Sequence, residues 1–209
     1  AIASFAVTDD EIGFTYTFEG HNFYTITFPS ANKTFTISEV LSENGWFELS
    51  SGTSDGKWQA SSVISAYGKN YAADNDNGNV YCLDLDTYTN NGEALQRTRI
   101  SSNIDARLIG GAIGDAVTMS SVTISMETGV GLIAGQGDNP RIIVEASFDG
   151  GRTFSAGAWP RVGRLGEFVL KVKWDNMRTF YDCMLRISST DPVNYSVYGA
   201  TIDLKLAGK

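Results

Sequence analysis

Residues 12–28 read IGFTYTFEGHNFYTITF, and their pattern recurs along the whole chain. Aromatic and β-branched side chains alternate with polar ones over 12–18 and again over 23–28, with Gly20 between the two runs. A period of two residues predicts β-strands, and Gly, Asn and Asp between such runs predict turns. No convincing stretch of ten or more residues has the helical period of 3.6. The sequence therefore predicts an all-β protein.

Two sets of four short strands are predicted in the first half of the chain. The first set lies near 12–18, 23–28, 34–38 and 46–50, and the second near 58–66, 70–73, 79–83 and 94–100. GHNFY at 20–24 aligns with GKNY at 68–71 at an offset of 48 residues. A four-stranded unit that repeats every ~40 to 50 residues is typical of a β-propeller blade. Two blades cannot close a ring, so we expect a fragment of a longer protein whose earlier blades are missing.

The pattern changes after a glycine-rich stretch. Gly110, Gly111 and Gly114 predict a loop or linker there. Longer alternating strands follow near 119–127, 141–148, 167–174, 181–188 and 195–206, as in an antiparallel β-sandwich. We therefore expect the C-terminal blades of a partial propeller at 1–102, a linker at 103–117 and a β-sandwich at 118–209.

Composition limits the function classes. The 209 residues carry a net charge of −8, which argues against a protein that wraps nucleic acid, because such proteins need a cationic surface. No run of 18 apolar residues predicts a membrane-spanning helix. His21 is the only histidine, which argues against a Ser-His-Asp triad or a zinc site. Cys82 and Cys183 are expected to be buried or half-buried thiols, with a disulfide between them as the alternative.

SFDGGRTF at 147–154 matches the Asp-box pattern S-x-D-x-G-x-T-[WF] at every fixed position. In such a hairpin the aspartate accepts hydrogen bonds from its own turn, the glycines take positive φ, and the aromatic ring lies under the turn. Asp-boxes also occur in sialidases, where they lie away from the chemistry. We assign this structural role to Ser147, Asp149, Gly151, Thr153 and Phe154.

DNDNG at 74–78 invites comparison with a calcium loop. The EF-hand template fails, because its first position falls on Ala73 and its twelfth on Asp84 instead of Glu. Asn-Gly between two strand-like runs predicts a hairpin turn instead. A weak calcium site that uses Asp74 and Asp76 is the alternative.

Asp84 and Asp86 flank one leucine and so share one face of a predicted strand. Paired carboxylates can perform acid–base chemistry or bind a cation. Such a pair more often lies at a strand end that is exposed to solvent, and we favour that interpretation for Asp84 and Asp86. No catalytic residue and no cofactor is predicted.

Basic residues are frequent in the last third of the chain and alternate with aromatic ones. Over 169–174 the alternation places Lys171 and Lys173 outward and the aromatic residues inward, which favours an ordinary sandwich core over a nucleic-acid face. One alternative is a glycan-binding sandwich that contacts host-surface sugars through Trp159 or Tyr198. Another is a glycosidase related to Asp-box enzymes, which two blades cannot complete.

One further set of segments is informative through its order along the chain. The segments are GHNFY at 20–24, TFP at 27–29, KTF at 33–35, GKWQA at 56–60, AYGK at 66–69, GNVYCLDLDTYTNNG at 78–92, Arg97 and Arg99, METGVG at 126–131, DGGRT at 149–153 and GRLGEFVLKVKW at 163–174. In this order they resemble the tail-hub proteins of short-tailed phages, also called tail nozzle or packaged-DNA stabilisation proteins. The similarity covers nearly the whole chain, and one departure is Phe154, where the family usually has Trp.

The resemblance implies a structural protein of the virion tail, made in the host bacterial cytoplasm. Such hubs form a hexameric tube below the portal and its adaptor ring, carry the DNA channel, are closed by a needle or plug, and hold tailspikes or fibres. The DNA passes through without specific binding. Acidic side chains that face a channel would repel phosphates, and we expect some of Asp74, Asp76, Asp84 and Asp86 to do so.

Overall fold

The computed structural model describes residues 2–39, 45–53, 55–155 and 157–208, apart from the side chains of Ala3, Asn176 and Met177. The chain divides into two compact units, Ala1–Ala94 and Leu95–Lys209. The helices of the described part are two short 3-10 turns, Ile2–Ser4 and Ala106–Ile109. Strands supply the rest of the regular structure, which confirms the all-β prediction.

The first unit contains a four-stranded and a three-stranded antiparallel sheet, each ordered as in the sequence, and a short hairpin. Two-residue hairpin loops join the first two strands of each sheet, and both loop residues have positive φ, 49° and 78° at 19–20 and 52° and 73° at 67–68. Such loops match the twist of paired strands. The strands are β1 (Ile12–Phe18), β2 (His21–Phe28), β3 (Lys33–Ser38) and β4 (Phe47–Leu49); β5 (Ala60–Ala66), β6 (Lys69–Asp74) and β7 (Val80–Leu83); and β8 (Thr89–Asn90) with β9 (Glu93–Ala94).

Threonines form the buried centre of one face of the first sheet. Thr25 and Thr27 on β2 lie opposite Thr36 and Thr34 on β3, and all four are buried. The two hydroxyl oxygens of each pair are 2.9 Å apart. The backbone N–H of Trp58 also donates to the Thr34 hydroxyl at 3.0 Å. These hydroxyls therefore satisfy one another, which offsets the cost of removing them from water.

Aromatic rings extend this face. The ring of Trp58 lies 6.2 Å from Phe14 and 6.3 Å from Tyr16, centroid to centroid. Tyr16 in turn stacks on Phe23 at 5.1 Å. Trp58 lies two residues before the first residue of β5, so its side chain links the start of the second sheet to the first.

The second unit contains two sheets that enclose one core. In the first, β12 lies between β14 and β16. In the second, β15 pairs with β13 and, over successive stretches, with β10 and β11. Backbone hydrogen bonds also join 140–144 to 158–162, which places that segment alongside β13. The strands are β10 (Arg97–Ile100), β11 (Ile104–Asp105), β12 (Val117–Met126), β13 (Ile143–Ser147), β14 (Val172–Phe180), β15 (Asp182–Ser189) and β16 (Val197–Leu206).

The core of the second unit follows from the period of two along β12. Val117, Met119, Val122 and Ile124 are buried, and a β-bulge between Met119 and Ser121 shifts the alternation by one residue. Facing residues from the other sheet include Val144 and Leu185. Burial of such apolar side chains contributes roughly 1.5–3 kcal/mol each.

Two strand predictions are wrong. The strand near 94–100 was expected to complete the second blade, but Arg97–Ile100 pairs with β15 of the second unit. The alternation of side chains does not reveal this pairing, because the partner strand lies far away in the sequence. The strand near 167–174 begins only at Val172, because turns with hydrogen bonds from Glu167 to Arg164 and from Phe168 to Gly166 precede it. The stretch 103–117 holds β11, a 3-10 turn and the first residue of β12.

The expected burial differs at several side chains. Lys171 and Lys173 are exposed and Val172 is buried, as the alternation predicts. Phe168, however, is 71% exposed, because it lies in the turn before the strand. Among the thiols, Cys183 is buried and Cys82 is exposed, and both are free. Burial raises the pKa of the Cys183 thiol to about 11.

We expect Thr34→Val to destabilise the first unit by about 1–3 kcal/mol, since it leaves the Thr27 hydroxyl and the Trp58 N–H without their partner. Urea unfolding followed by tryptophan fluorescence measures the change. Thr201→Val, at an exposed position on β16, is the control and should change stability by less than about 0.5 kcal/mol. Equal effects of the two substitutions would contradict the role of the threonine pairs.

Candidate functional site

The two units carry opposite charge balances. Residues 1–94 contain 13 Asp and Glu, three Lys and no Arg, whereas residues 95–209 contain 11 Asp and Glu against 13 Lys and Arg. All of the excess negative charge of the chain therefore belongs to the first unit. The four predicted channel acids lie in or next to two of its turns.

Asp74 closes the turn between β6 and β7. Its Oδ1 accepts hydrogen bonds from the backbone N–H of Asp76 at 2.7 Å and of Asn77 at 3.2 Å. The carboxylate is buried, with the residue 8% exposed. Asp74 is thus engaged within its own turn. Asp76 is exposed, and its Oδ1 lies 3.2 Å from Lys57 Nζ.

Asp84 and Asp86 lie in the turn after β7. Asp84 accepts a hydrogen bond from the Thr87 hydroxyl at 2.7 Å and a longer one from the backbone N–H of Asp86 at 3.3 Å. The Thr87 hydroxyl, followed by this N–H, holds the pKa of Asp84 below its ordinary value of 3.8. Both residues are exposed. Asp84 therefore remains ionised at neutral pH, and both side chains face solvent.

Metal binding has little support at these turns. In the part of the chain that the structure describes, no group of three or more His, Cys, Asp or Glu side chains is placed to hold a metal ion. Oδ1 of Asp74 is already occupied by two backbone amides. The geometry therefore favours a hairpin turn over the calcium alternative at Asp74 and Asp76.

The Asp-box segment forms a closed set of hydrogen bonds around Asp149. Its Oδ1 accepts from the Ser147 hydroxyl at 2.7 Å and from the backbone N–H groups of Arg152 at 3.0 Å and Thr153 at 2.9 Å. Its Oδ2 accepts from the Thr153 hydroxyl at 2.6 Å. The N–H of Gly151, whose φ is 87°, donates to the Ser147 oxygen at 2.9 Å. These donors, the Thr153 hydroxyl foremost, hold the pKa of Asp149 far below its ordinary value of 3.8.

Phe154 follows this turn and lies against the second sheet. The Arg186 guanidinium carbon is 4.1 Å from the centre of the Phe154 ring. Arg186 also donates to both carboxylate oxygens of Glu145, at 2.7 and 2.9 Å. The ring, the guanidinium and the carboxylate therefore join the turn to β13 and β15. Arg186 and Glu145 lie 41 residues apart, so no local pattern in the sequence identifies them as partners.

The two aromatic residues of the glycan alternative are both exposed, Trp159 by 57% and Tyr198 by 74%. Trp159 follows Ala158, which bridges to Val144 in the sheet of β13 and β15. Tyr198 lies on β16, in the other sheet. The two side chains thus belong to different sheets.

Two family comparisons match most of the chain. The family described as "Bacteriophage P22 Gp10, beta-propeller" matches residues 11–88, and the one described as "Bacteriophage P22 Gp10, beta-sandwich" matches residues 111–205. The chain belongs to the bacteriophage P22 Gp10 family. It is therefore a structural tail protein of a bacteriophage, and its two units correspond to the propeller and sandwich parts of that family. The resemblance drawn from the sequence motifs is confirmed.

Other comparisons add little. A search of curated proteins found no match. A solved structure described as a glycoside hydrolase aligns over 96% of this chain and 61% of its own chain, at 10% identity and a TM-score of 0.26. A likeness of that size carries no argument about fold or activity. Among the described helices, none has the length and apolar character needed to cross a membrane.

We expect the hydrogen bonds of the Asp149 turn to make the stability of the second unit depend on pH in the acid range. The pKa of Asp149 is lower in the folded than in the unfolded chain, so the unfolded chain takes up the proton first as pH falls. The stabilisation that the ionised Asp149 gives the folded state is therefore complete above about pH 5 and is lost as pH falls through about 4 and below. Asp149→Asn should lower Tm at neutral pH and flatten its decline in acid. Thermal unfolding at a series of pH values measures both effects. The control is Asp203→Asn, at an exposed position on β16; an unchanged acid slope in Asp149→Asn would contradict this account.

Proposed function

We propose that this chain is part of the tail hub, or nozzle, that prolongs the DNA channel below the portal and helps to retain packaged DNA. The observation that carries the proposal is the family match over both units. In this role the parent protein forms a hexameric ring and meets the portal adaptor, the tail needle or plug, and tailspikes or fibres. The protein acts through interfaces, without catalysis or a cofactor, and is made in the host bacterial cytoplasm before it joins the virion.

The charge of the first unit supports the channel part of this proposal. With 13 acidic and three basic residues in 1–94, that unit repels a polyanion at physiological salt, where charges interact over about 8 Å. Asp76, Asp84 and Asp86 are the exposed acids that we assign to the channel wall. Asp74 is left out, because its carboxylate is buried in the turn.

Immunogold electron microscopy of the phage that encodes this chain tests the tail role. Antibody raised against the 209-residue chain should place gold at the tail, below the portal vertex. Antibody absorbed beforehand with the purified chain is the control and should give none. Virions without gold, with antigen only in the infected cell, would contradict the tail role and redirect attention to glycan binding, which a glycan array then measures.

The channel assignment predicts an effect on DNA release. A phage that carries Asp76→Asn, Asp84→Asn and Asp86→Asn should eject its DNA more slowly, since the wall then repels the duplex less. The matched control replaces three exposed acids of the second unit, Asp138, Asp175 and Asp203, by Asn. Ejection in vitro, followed by a DNA-binding dye, compares the two. Equal ejection rates in the two phages would place the first three acids away from the channel.

A further inference from the structure

Asparagine is followed by glycine in two exposed turns of the described part of the first unit. Asn77 and Gly78 lie between β6 and β7, and Asn91 and Gly92 lie between β8 and β9. Such a pair is chemically labile, because a glycine nitrogen without a neighbouring Cβ can approach the side-chain carbonyl carbon of the asparagine and attack it. The two turns share this dipeptide and its exposure to water. Their surroundings differ.

The side-chain carbonyl of Asn77 is polarised by its own turn. Its Oδ1 accepts a hydrogen bond from the backbone N–H of Asn79 at 2.9 Å. This bond closes a small ring of atoms that includes the Gly78 nitrogen, and it restricts how far the carbonyl carbon can turn away from that nitrogen. Attack on the carbon would place negative charge on Oδ1, which already faces a backbone N–H. A backbone amide in this position stabilises an oxyanion.

The nitrogen that would attack is free, and the turn around it is fixed. Among the described residues, none accepts a hydrogen bond from the Gly78 N–H. The Asn77 N–H donates to Asp74 Oδ1 at 3.2 Å, and the Asp74 N–H donates to the Asn79 carbonyl at 2.8 Å. These two bonds hold the backbone on both sides of Gly78. The reacting atoms are therefore positioned before the reaction begins, which lowers the entropic part of its barrier.

A proton donor lies beside the nitrogen that would leave. The Tyr81 hydroxyl oxygen is 3.4 Å from Asn77 Nδ2 and 3.2 Å from Asn79 Nδ2. In both contacts the amide donates and the hydroxyl oxygen accepts, so neither contact uses the hydroxyl proton. An amide nitrogen that leaves as ammonia needs one additional proton, and the Tyr81 hydroxyl is within reach to supply it as a general acid.

Asn91 lacks these features. It has a φ of 51° and occupies the two-residue turn of the β8–β9 hairpin. Among the described residues, no hydrogen bond reaches its side chain. The same dipeptide is therefore present in this turn without the polarising N–H and without the proton donor. Asn91 serves as an internal reference for the reactivity of Asn77.

We propose that Asn77 is a self-modification site that loses its side-chain amide as ammonia in the folded protein. The Gly78 N–H gives its proton to hydroxide, and the nitrogen forms a bond to Cγ of Asn77. The bond between Cγ and Nδ2 then breaks, and Nδ2 leaves as ammonia with the proton of the Tyr81 hydroxyl, which water restores. Water adds to the resulting five-membered imide and opens it to an aspartyl or isoaspartyl residue at position 77.

Either product adds one negative charge to a turn that already contains Asp74 and Asp76. The aspartyl product keeps a side-chain oxygen for the Asn79 N–H. The isoaspartyl product carries an additional methylene in the backbone, which disturbs the register between β6 and β7. This chemistry needs no partner chain, so it is independent of the tail role.

Peptide mapping by mass spectrometry, after incubation of the folded chain at mildly alkaline pH, tests the site. The peptide that contains Asn77 should gain the mass of deamidation at least roughly tenfold faster than the peptide that contains Asn91. In urea the two rates should converge, because unfolding removes the turn but leaves both dipeptides. Equal rates in the folded chain, or faster reaction at Asn91, would overturn the proposal.

Tyr81→Phe removes the proton donor and should slow the reaction of Asn77 in the folded chain roughly 3- to 10-fold, since water replaces the hydroxyl only in part. The rate at Asn91, and both rates in urea, should stay unchanged. Tyr67→Phe is the matched control at a side chain that is 98% exposed, and it should leave all rates as in the wild type. Circular dichroism checks that both variants fold. A folded Tyr81→Phe chain that reacts at the wild-type rate would overturn the proposed reaction.

Discussion

A β-sheet satisfies its backbone by pairing strands, but it still has two faces, and each must be covered or left to water. This constraint organises both units of the chain. In the second unit the inner faces of two sheets cover each other, and the buried residues of β12 lie between them. In the first unit the sheets are small, and the buried face is held by threonine pairs, by Trp58 and by a hydrogen bond from the Asn70 side-chain amide to the Thr17 carbonyl.

The buried face of the first sheet is filled by threonines, at positions where buried sheet faces usually carry aliphatic side chains. It works because each hydroxyl on β2 meets one on β3 at 2.9 Å, so that no hydroxyl of these two pairs is buried without a partner. The stability of this face is therefore sensitive to substitution, because removal of one hydroxyl leaves its partner without a hydrogen bond. The face is therefore specific for the strand register, since a slip of one residue would separate the pairs.

The carboxylates of this chain have two kinds of role. Asp74 and Asp149 accept backbone amides of their own turns, so their charge is used locally to hold a hairpin. Asp86 is exposed, and the excess of 13 acids over three lysines in residues 1–94 gives the first unit a negative field. In the tail role proposed for this chain, the hairpin turns position these acids and the charge balance sets the electrostatic field that packaged DNA would meet.

The sequence alone determined the features that arise from neighbouring residues. The period of two in 12–28 predicted β1 and β2 almost to the residue, since alternation depends on adjacent side chains. SFDGGRTF at 147–154 predicted a turn for the same reason, and the order of motifs along the chain was sufficient to indicate the family.

Only the tertiary structure decided the features that depend on distant partners. Arg97–Ile100 pairs with β15, nearly a hundred positions later, where alternation cannot identify a partner. Asp74 and Asp86 are both acids near the end of a strand, yet one is buried and the other exposed. The offset of 48 residues aligned Asn22 with Asn70, but only the fold brings the Asn70 amide to the carbonyl of Thr17 and leaves the Asn22 amide open. Local sequence patterns predict the strands and turns. The partner of each strand or side chain is decided by long-range packing, which a local pattern does not contain.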